Sequence, residues 1–321
     1  MALLFGGRSS EHEVSVRSAN SVKAALDKTK YDVSEIFIDR DGKWHPRPIS
    51  PEPYANGDFD VVLPMLHGAF GEDGTVQGLL ELAELPYVGA GVLASSVSMD
   101  KVMTKRICHE AGLPVVEYIV LTRGAFHPDK VDSPFGYPVF VKPANLGSSV
   151  GVSKVTNPVG LAAALATAAQ YDRKIIVERD VSGREFECAV LGGDPVSASA
   201  PCEILPSQDF YSYDDKYVLD KAKIELPARL DTAQLTEMKR LAVACFDAVC
   251  CEGMARVDFL MEHSSGQIYI NEINTIPGFT AISMFPKMWE YSGLPYPRLL
   301  DRLIELAFDR ARARAETRYT R

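Results

Sequence analysis

The chain has 321 residues, of which 46% are hydrophobic and 24% charged. That length suits roughly two domains at about 150 residues each and can bury a core without disulfides or a structural metal. Its 34 basic against 43 acidic side chains give a net charge of −9, which excludes a broad nucleic-acid-binding surface while leaving room for a local basic pocket.

Residues 2–5 form a short apolar run that stops at Gly6-Gly7, as a buried parallel strand entering a loop would. Ser9 or Ser10 can cap a helix whose apolar face holds Val22, Ala25 and Leu26. Further strands are expected over 33–38, over 60–66 (ending at His67-Gly68) and over 86–88, with a helix over 75–85. Strands alternating with helices predict a doubly wound parallel sheet, with ligands at the carboxyl ends of the strands, where Gly6-Gly7-Arg8 and His67-Gly68 lie. Ser98 can cap a helix to about Ala111, ended by Gly112 and Pro114. A strand over 137–142, a Gly/Ser loop over 145–151, a strand over 152–155, an Ala-rich helix over 161–169 and a strand over 175–181 follow.

From Gly183 the pattern becomes antiparallel. Runs over 185–191 and 196–204 flank the turn Gly192-Gly193-Asp194-Pro195, a hairpin signal. Residues 206–223 are polar, aromatic and weakly periodic, a loop long enough to be a lid. Asp231 with Gln234 three residues on is a capping box opening a helix. Two strands over 255–261 and 267–271 and a last helix over 299–315 complete the chain, with Arg302, Arg310, Arg312 and Arg314 expected on its solvated face. Six cysteines without a CxxC pair read as reduced thiols of a cytoplasmic protein. No apolar run approaches about 18 residues, and the first residues lack the basic start of a secretory signal, so no membrane partner is expected.

The strongest chemical constellation is Arg256-x-Asp258 followed by Glu272-x-Asn274. Residues two apart on a strand share a face, so Arg256 and Asp258 share one, and Glu272 and Asn274 are expected to continue the face of Ile268 and Ile270. Three oxygen ligands and a guanidinium can then converge, a set that suits Mg²⁺ or Mn²⁺ with phosphate oxygens; the bland alternative is a hairpin with solvated charges. In the 145–151 loop, glycines admit close backbone approach to an anion and the serines add donors, with Lys142 just before it as a point charge. The Walker spacing is absent, so the loop reads equally as a plain hairpin turn or a phosphate cover. Glu11, at a helix start, can receive a cationic amine or be a favourable first-turn acid. His67 stands alone, without metal-ligand spacing.

Taken together, the segments Gly6-Gly7-Arg8-Ser9-Ser10-Glu11-His12-Glu13-Val14-Ser15, Leu66-His67-Gly68 with Gly71-Glu72-Asp73-Gly74, Ser98-Met99-Asp100-Lys101, Gly147-Ser148-Ser149-Val150-Gly151 and Asn271-Glu272-Ile273-Asn274-Thr275 with Pro277-Gly278 resemble the D-alanine–D-alanine ligase family of the ATP-grasp superfamily, in family order from residue 5 to about 285. The resemblance implies an α/β ATP-grasp fold in three parts: an N-terminal doubly wound domain (1–97), a central lid subdomain (98–182) and a C-terminal antiparallel catalytic and metal domain (183–321). It implies ligation of two D-alanines with ATP for peptidoglycan precursor synthesis, through an acyl phosphate, in a cytoplasmic homodimer.

By the same resemblance, Lys101 and Lys142 hold nucleotide phosphates under the loop of Ser148 and Ser149. Glu178, Arg179 and the Val181 backbone lie at adenine, and Glu185 at ribose. Asp258, Glu272 and Asn274 bind two Mg²⁺ or Mn²⁺ ions. Glu11 holds the first substrate's ammonium in a hydrogen-bonded set with Ser148 and Tyr217, beside His67. Lys216 reaches the transferring phosphate, Arg256 and the Gly278 N–H stabilise the oxyanion, and Ser283 binds the second carboxylate. Lys216-Tyr217 favours the dipeptide over a D-alanine–D-lactate product. A different ATP-grasp carboxylate–amine ligase, or a non-catalytic nucleotide-binding regulator, would be the alternatives; the second predicts gaps among Asp258, Glu272, Asn274 and Arg256, and none is missing.

Overall fold

The alternating apolar runs of the first hundred residues fold into a four-stranded sheet in a computed structural model that describes residues 1–205 and 223–318. Strand β1 (Ala2–Gly6) is wholly buried and pairs in parallel with β2 (Ser34–Ile38) and β4 (Val62–Met65), while the two-residue β3 (Trp44–His45) adds an antiparallel edge to β2. Helix α1 (His12–Ala25) follows β1, and α2 (Thr75–Leu82) follows β4, so the loops after β1 and β4 open at the same sheet end. The expected strand over 86–88 is only a bridge, Val62 to Tyr87.

Where one helix capped by Ser98 is expected, two form: α3 (Val92–Met99) and α4 (Lys101–Glu110). Ser98 is buried inside α3, and Asp100 is the cap, its carboxylate accepting from the Val102 and Met103 N–H groups. The carboxylate satisfies two donors orphaned at the helix start. The second sheet is antiparallel in the order β5-β8-β6-β7, from β5 (Tyr118–Thr122), β6 (Val139–Pro143), β7 (Ser153–Val155) and β8 (Lys174–Arg179). Helix α5 (Pro158–Tyr171) covers it with Leu161, Ala164, Leu165 and Ala168, a core of its own with Val139, Val141, Ile175 and Val177.

The third sheet is built on β9 (Gly183–Leu191), which pairs with β13 (Met254–Glu262) along its whole length. β14 (Ile268–Asn274) flanks β13, and β11 (Cys202–Leu205) with β12 (Lys223–Glu225) flanks β9. The expected partner run over 196–204 divides into β10 (Ser197–Ala198) and β11, both antiparallel to β9. Helix α6 (Thr232–Ala248) starts on Asp231 and Gln234 with both arms of the capping box made. Helices α7 (Met284–Tyr291) and α8 (Tyr296–Ala315) close the chain. Phe5, Leu63 and Met65 of the first sheet share one core with Ala189, Leu191, Phe285 and Leu303, so the first and third sheets pack as neighbours.

Arg310 does not lie on a solvated face: its side chain is 9% exposed, stacks 4.0 Å from the Tyr87 ring centre and donates to the carbonyls of Tyr87 and Gly89. It caps backbone at the edge of the first sheet, whereas Arg312 remains 71% exposed. All six cysteines are free thiols. Among the described residues no helix is long and apolar enough to cross a membrane. Residues 206–222, including Lys216 and Tyr217, lie outside those described.

Candidate active site

The alternation of β13 puts Val257 and Phe259 into the core and leaves Arg256 and Asp258 on the opposite face. On β14 the register slips: Phe259 opposes Ile270 but Asp258 opposes Glu272, so Asn271 is the extra residue of a bulge. Ile268, Ile270 and Ile273 are buried, and Glu272 and Asn274 therefore stand on the face away from Ile268 and Ile270, not on theirs as simple alternation expects. The bulge is what sets Glu272 opposite Asp258 and Asn274 opposite Arg256. Arg256 grips both Asp258 oxygens at 2.7 Å through Nε and Nη2, and Asn274 Nδ2 donates to Asp258 Oδ2 at 3.0 Å. Among the described residues no three His, Cys, Asp or Glu side chains converge, so the donor set is two carboxylates and an amide, all hard oxygen ligands that fit a divalent cation of the magnesium kind.

This face is the floor of a cleft of about 490 Å³. Its roof is the loop 146–151 that joins β6 to β7 as an antiparallel hairpin. Ser148 and Ser149 both take left-handed backbone angles, φ 52° and 59°, a strained choice for residues with a Cβ that is common at ligand clamps. One side chain touches both layers: Lys101 Nζ donates to the Leu146 carbonyl at 2.7 Å and sits 3.2 Å from Glu272 Oε2. Lys142 lies on the wall, 2.5 Å from Glu178 Oε2, while Glu178 Oε1 meets Lys105 at 2.9 Å. Burial works to raise the Glu178 carboxyl, but the two lysines outweigh it and hold it down at about 2.

Glu11, at the start of α1, connects this cleft to the loops that follow β1 and β4. Ser148 Oγ donates to Glu11 Oε1 at 2.5 Å, which ties the roof to the start of α1. Gly68 must be glycine here: its φ is +76°, and a Cβ would stand 2.5 Å from Glu11 Oε2. His67 is buried, with Nδ1 3.0 Å from the Ile276 carbonyl and Nε2 2.8 Å from Ser18 Oγ. A carbonyl only accepts, so Nδ1 carries the proton and Nε2 accepts from Ser18. Burial lowers the His67 pKa against the pull of Glu11, which keeps the ring neutral. Burial and then Glu11 push the Glu72 carboxyl well up, although it accepts from the Gly68 N–H at 3.0 Å. Glycine at 278 makes room for Ser283, whose Oγ would lie 2.6 Å from a Cβ there and accepts from the Thr280 N–H at 2.9 Å.

The cleft thus gathers Lys101, Lys142, Ser148, Ser149, Glu178, Arg179, Val181, Glu185, Asp258 and Glu272 on one wall or another. Arg256 and Asn274 join through Asp258, and Glu11 through Ser148. His67, Gly278 and Ser283 are not in the lining of that cleft. Several participants escape the sequence reading. Lys105 follows Lys101 by four positions, one helical turn, and that spacing is the signal for a shared face. Glu187 follows Glu185 by two on β9, and its Oε2 lies 3.4 Å from Arg256 Nε. Ser18 carries no pattern that distinguishes it from an ordinary helix serine, and Glu72 stands in a family segment without a role read for it.

An antiparallel sheet that presents carboxylates and an amide beneath a Gly/Ser hairpin, with lysines in the cleft between them and Glu11 tied to the hairpin, defines an ATP-grasp ligase, a class that uses ATP to join a carboxylate to a nucleophile. Models of the D-ala D-ala ligase N-terminus match residues 1–56 and 48–90, and that of the D-ala D-ala ligase C-terminus matches 107–305. A D-alanine–D-alanine ligase of Solibacter usitatus is 61% identical over 100% of this chain and 99% of its own, and one of Acetivibrio thermocellus is 44% identical over 96% and 95%. Among solved structures, the D-alanine–D-alanine ligase of Coxiella burnetii aligns with TM-score 0.85 at 38% identity, covering 98% of this chain and 95% of its own. A D-Ala:D-Ser ligase of Enterococcus faecalis aligns with TM-score 0.86 at 36% identity, covering 95% and 98%. The chain belongs to the D-alanine–D-alanine ligase family.

Proposed function

We propose a division of labour among the residues of this cleft for the family's reaction, the ATP-dependent joining of two D-alanines to D-alanyl-D-alanine, a peptidoglycan precursor. The observation that carries it is that one cleft is lined by Lys101, Lys142, Ser148, Asp258 and Glu272, with Lys101 against Glu272, Asn274 against Asp258 and Ser148 against Glu11. The adenine lies against Glu178, Arg179 and the Val181 backbone, and the ribose meets Glu185. Lys101 and Lys142 neutralise phosphate oxygens, with Ser149 and its loop above them. Asp258, Glu272 and Asn274 would hold two Mg²⁺ or Mn²⁺ ions, which supply charge neutralisation at the phosphates.

Glu11, oriented by Ser148 and on our reading by Tyr217, receives the ammonium of the first D-alanine, with neutral His67 beside it. The carboxylate oxygen of that D-alanine takes the γ-phosphoryl group, giving D-alanyl phosphate and ADP, with Lys216 assigned to the moving group. Ser283 receives the carboxylate of the second D-alanine. Its amine attacks the acyl carbon, Arg256 and the Gly278 N–H stabilise the oxyanion, and phosphate leaves as the peptide bond forms. The loop and the 206–222 segment keep water from the acyl phosphate, which would otherwise hydrolyse.

We assign three working units (1–97, 98–182 and 183–321), matching the three sheets, and from the family a homodimer acting in the cytoplasm. Phosphate release from ATP with D-alanine, and none with L-alanine, is the direct test. Offering D-alanine, D-lactate and D-serine together and identifying the product fixes the second substrate; a product dominated by D-lactate or D-serine would overturn the dipeptide assignment.

A further inference from the structure

Lys105 is 1% exposed, yet its ammonium does not line the cleft. It sits behind the wall on α4, 2.9 Å from Glu178 Oε1, while Lys142 reaches Glu178 Oε2 from the cleft side. A lone buried ammonium is costly, and this one is compensated by a single carboxylate shared with a second lysine. The three charges therefore sum to +1, and only Lys142 of the two lysines lines the cleft. Lys142 also faces Glu272 and Glu185 at longer range, so without Lys105 none of the charge on Glu178 beside it would be offset from behind the wall.

We propose that Lys105 is a positioning residue for ATP: by cancelling the charge of Glu178 it leaves the Lys142 ammonium to meet the phosphates. Remove Lys105, and Glu178 is satisfied by Lys142 alone, which turns the lysine into the wall and cancels its charge. The inference rests on the nucleotide site proposed above and adds a residue to it that touches no substrate. Among the described residues Glu178 is the link between the two lysines, so the effect of Lys105 must vanish when Glu178 is neutral.

The test is direct ATP binding to the full-length enzyme with Mg²⁺, together with KM for ATP and for D-alanine. Lys105→Met is expected to weaken ATP binding by about tenfold or more while KM for D-alanine stays within about twofold, the pattern of a lost charge at one substrate. Lys105→Met/Glu178→Gln is expected to bind ATP within about threefold of Glu178→Gln alone, because a neutral amide does not compete for Lys142 and any change at adenine is common to both. ATP binding by Lys105→Met within about twofold of wild type, or a loss from Lys105→Met as large beside Glu178→Gln as in wild type, overturns the proposal.

Should Lys105→Met fail to fold, Lys105→Met/Glu178→Gln is compared with Glu178→Gln alone. Binding equal within about threefold supports the proposal, and a further loss of about tenfold overturns it. Lys142→Met separates the two levels: if it binds ATP as wild type does, the nucleotide-site reading itself has failed, whatever Lys105 does.

Discussion

The floor and the roof of the cleft are both antiparallel hairpins, and they are held in opposite ways. The floor strand β13 is paired on both sides, with β9 and β14, and its inward residues Val257 and Phe259 are buried in a core shared with α6. Its functional side chains are fixed by a ladder that must unfold before they can move. The roof loop 146–151 is not part of such a ladder: among the described residues its backbone ties are short-range, and its longer reaches include Lys101 to Leu146 and Ser148 to Glu11. Local stability scales with buried contacts and protected backbone bonds, so the floor is preorganised and the roof is the part that ligand must order. Metal and oxyanion chemistry needs fixed charge, and substrate entry needs a part that opens.

The sharpest way to break this contrast is Glu272→Ala. With a ligand removed from a rigid floor nothing can move in to replace it, so turnover should fall by more than about a hundredfold, beyond what outer partners of a metal cost. Near-normal activity at saturating Mg²⁺ would remove Glu272 from the metal set. On the roof, Ser148→Ala deletes one charge-assisted bond to Glu11 and should raise KM for D-alanine by about tenfold, with kcat less affected. An unchanged KM would mean the loop is not tied to the first substrate. Hydrogen exchange should rank the two directly: amides of β13 exchange slowest and those of 147–150 fastest without nucleotide, and equal protection would erase the distinction.

The smallest effect concerns the wall between them. The Glu178 pKa is lowered from 4.5 to about 2 in the folded chain, so its contribution to stability is full above pH 4.5 and drains away as pH falls towards about 2. Glu178→Gln should lack that acid-side slope in urea unfolding between those limits; a slope matching wild type would deny the paired state of Glu178.

Much of the site was legible along the chain because its residues come in short-range patterns. Arg256-x-Asp258 shares a face by strand period, Lys142 directly precedes its loop, and Asp231 with Gln234 announces a helix start. The face of Glu272 was not legible, since the bulge at Asn271 arises from how β14 pairs and reverses the alternation the sequence suggests. Ser98 was misread for a similar reason: serine suits a cap, but Asp100 accepts two N–H groups there, and burial takes Ser98 into α3. Arg310 looked like one of several solvated arginines because nothing near it in sequence marks the carbonyls of Tyr87 and Gly89 that it meets.

Composition, period and motif order determined the fold class and the family, because each depends on residues within a few positions of one another or on their order in the chain. Tertiary structure alone decided which polar groups face each other: that Lys105 and Lys142 share Glu178, that Glu187 flanks Arg256, and that the Ile276 carbonyl sets the His67 tautomer. Those pairings join strands and helices distant in sequence, and electrostatic energy depends on separation in space.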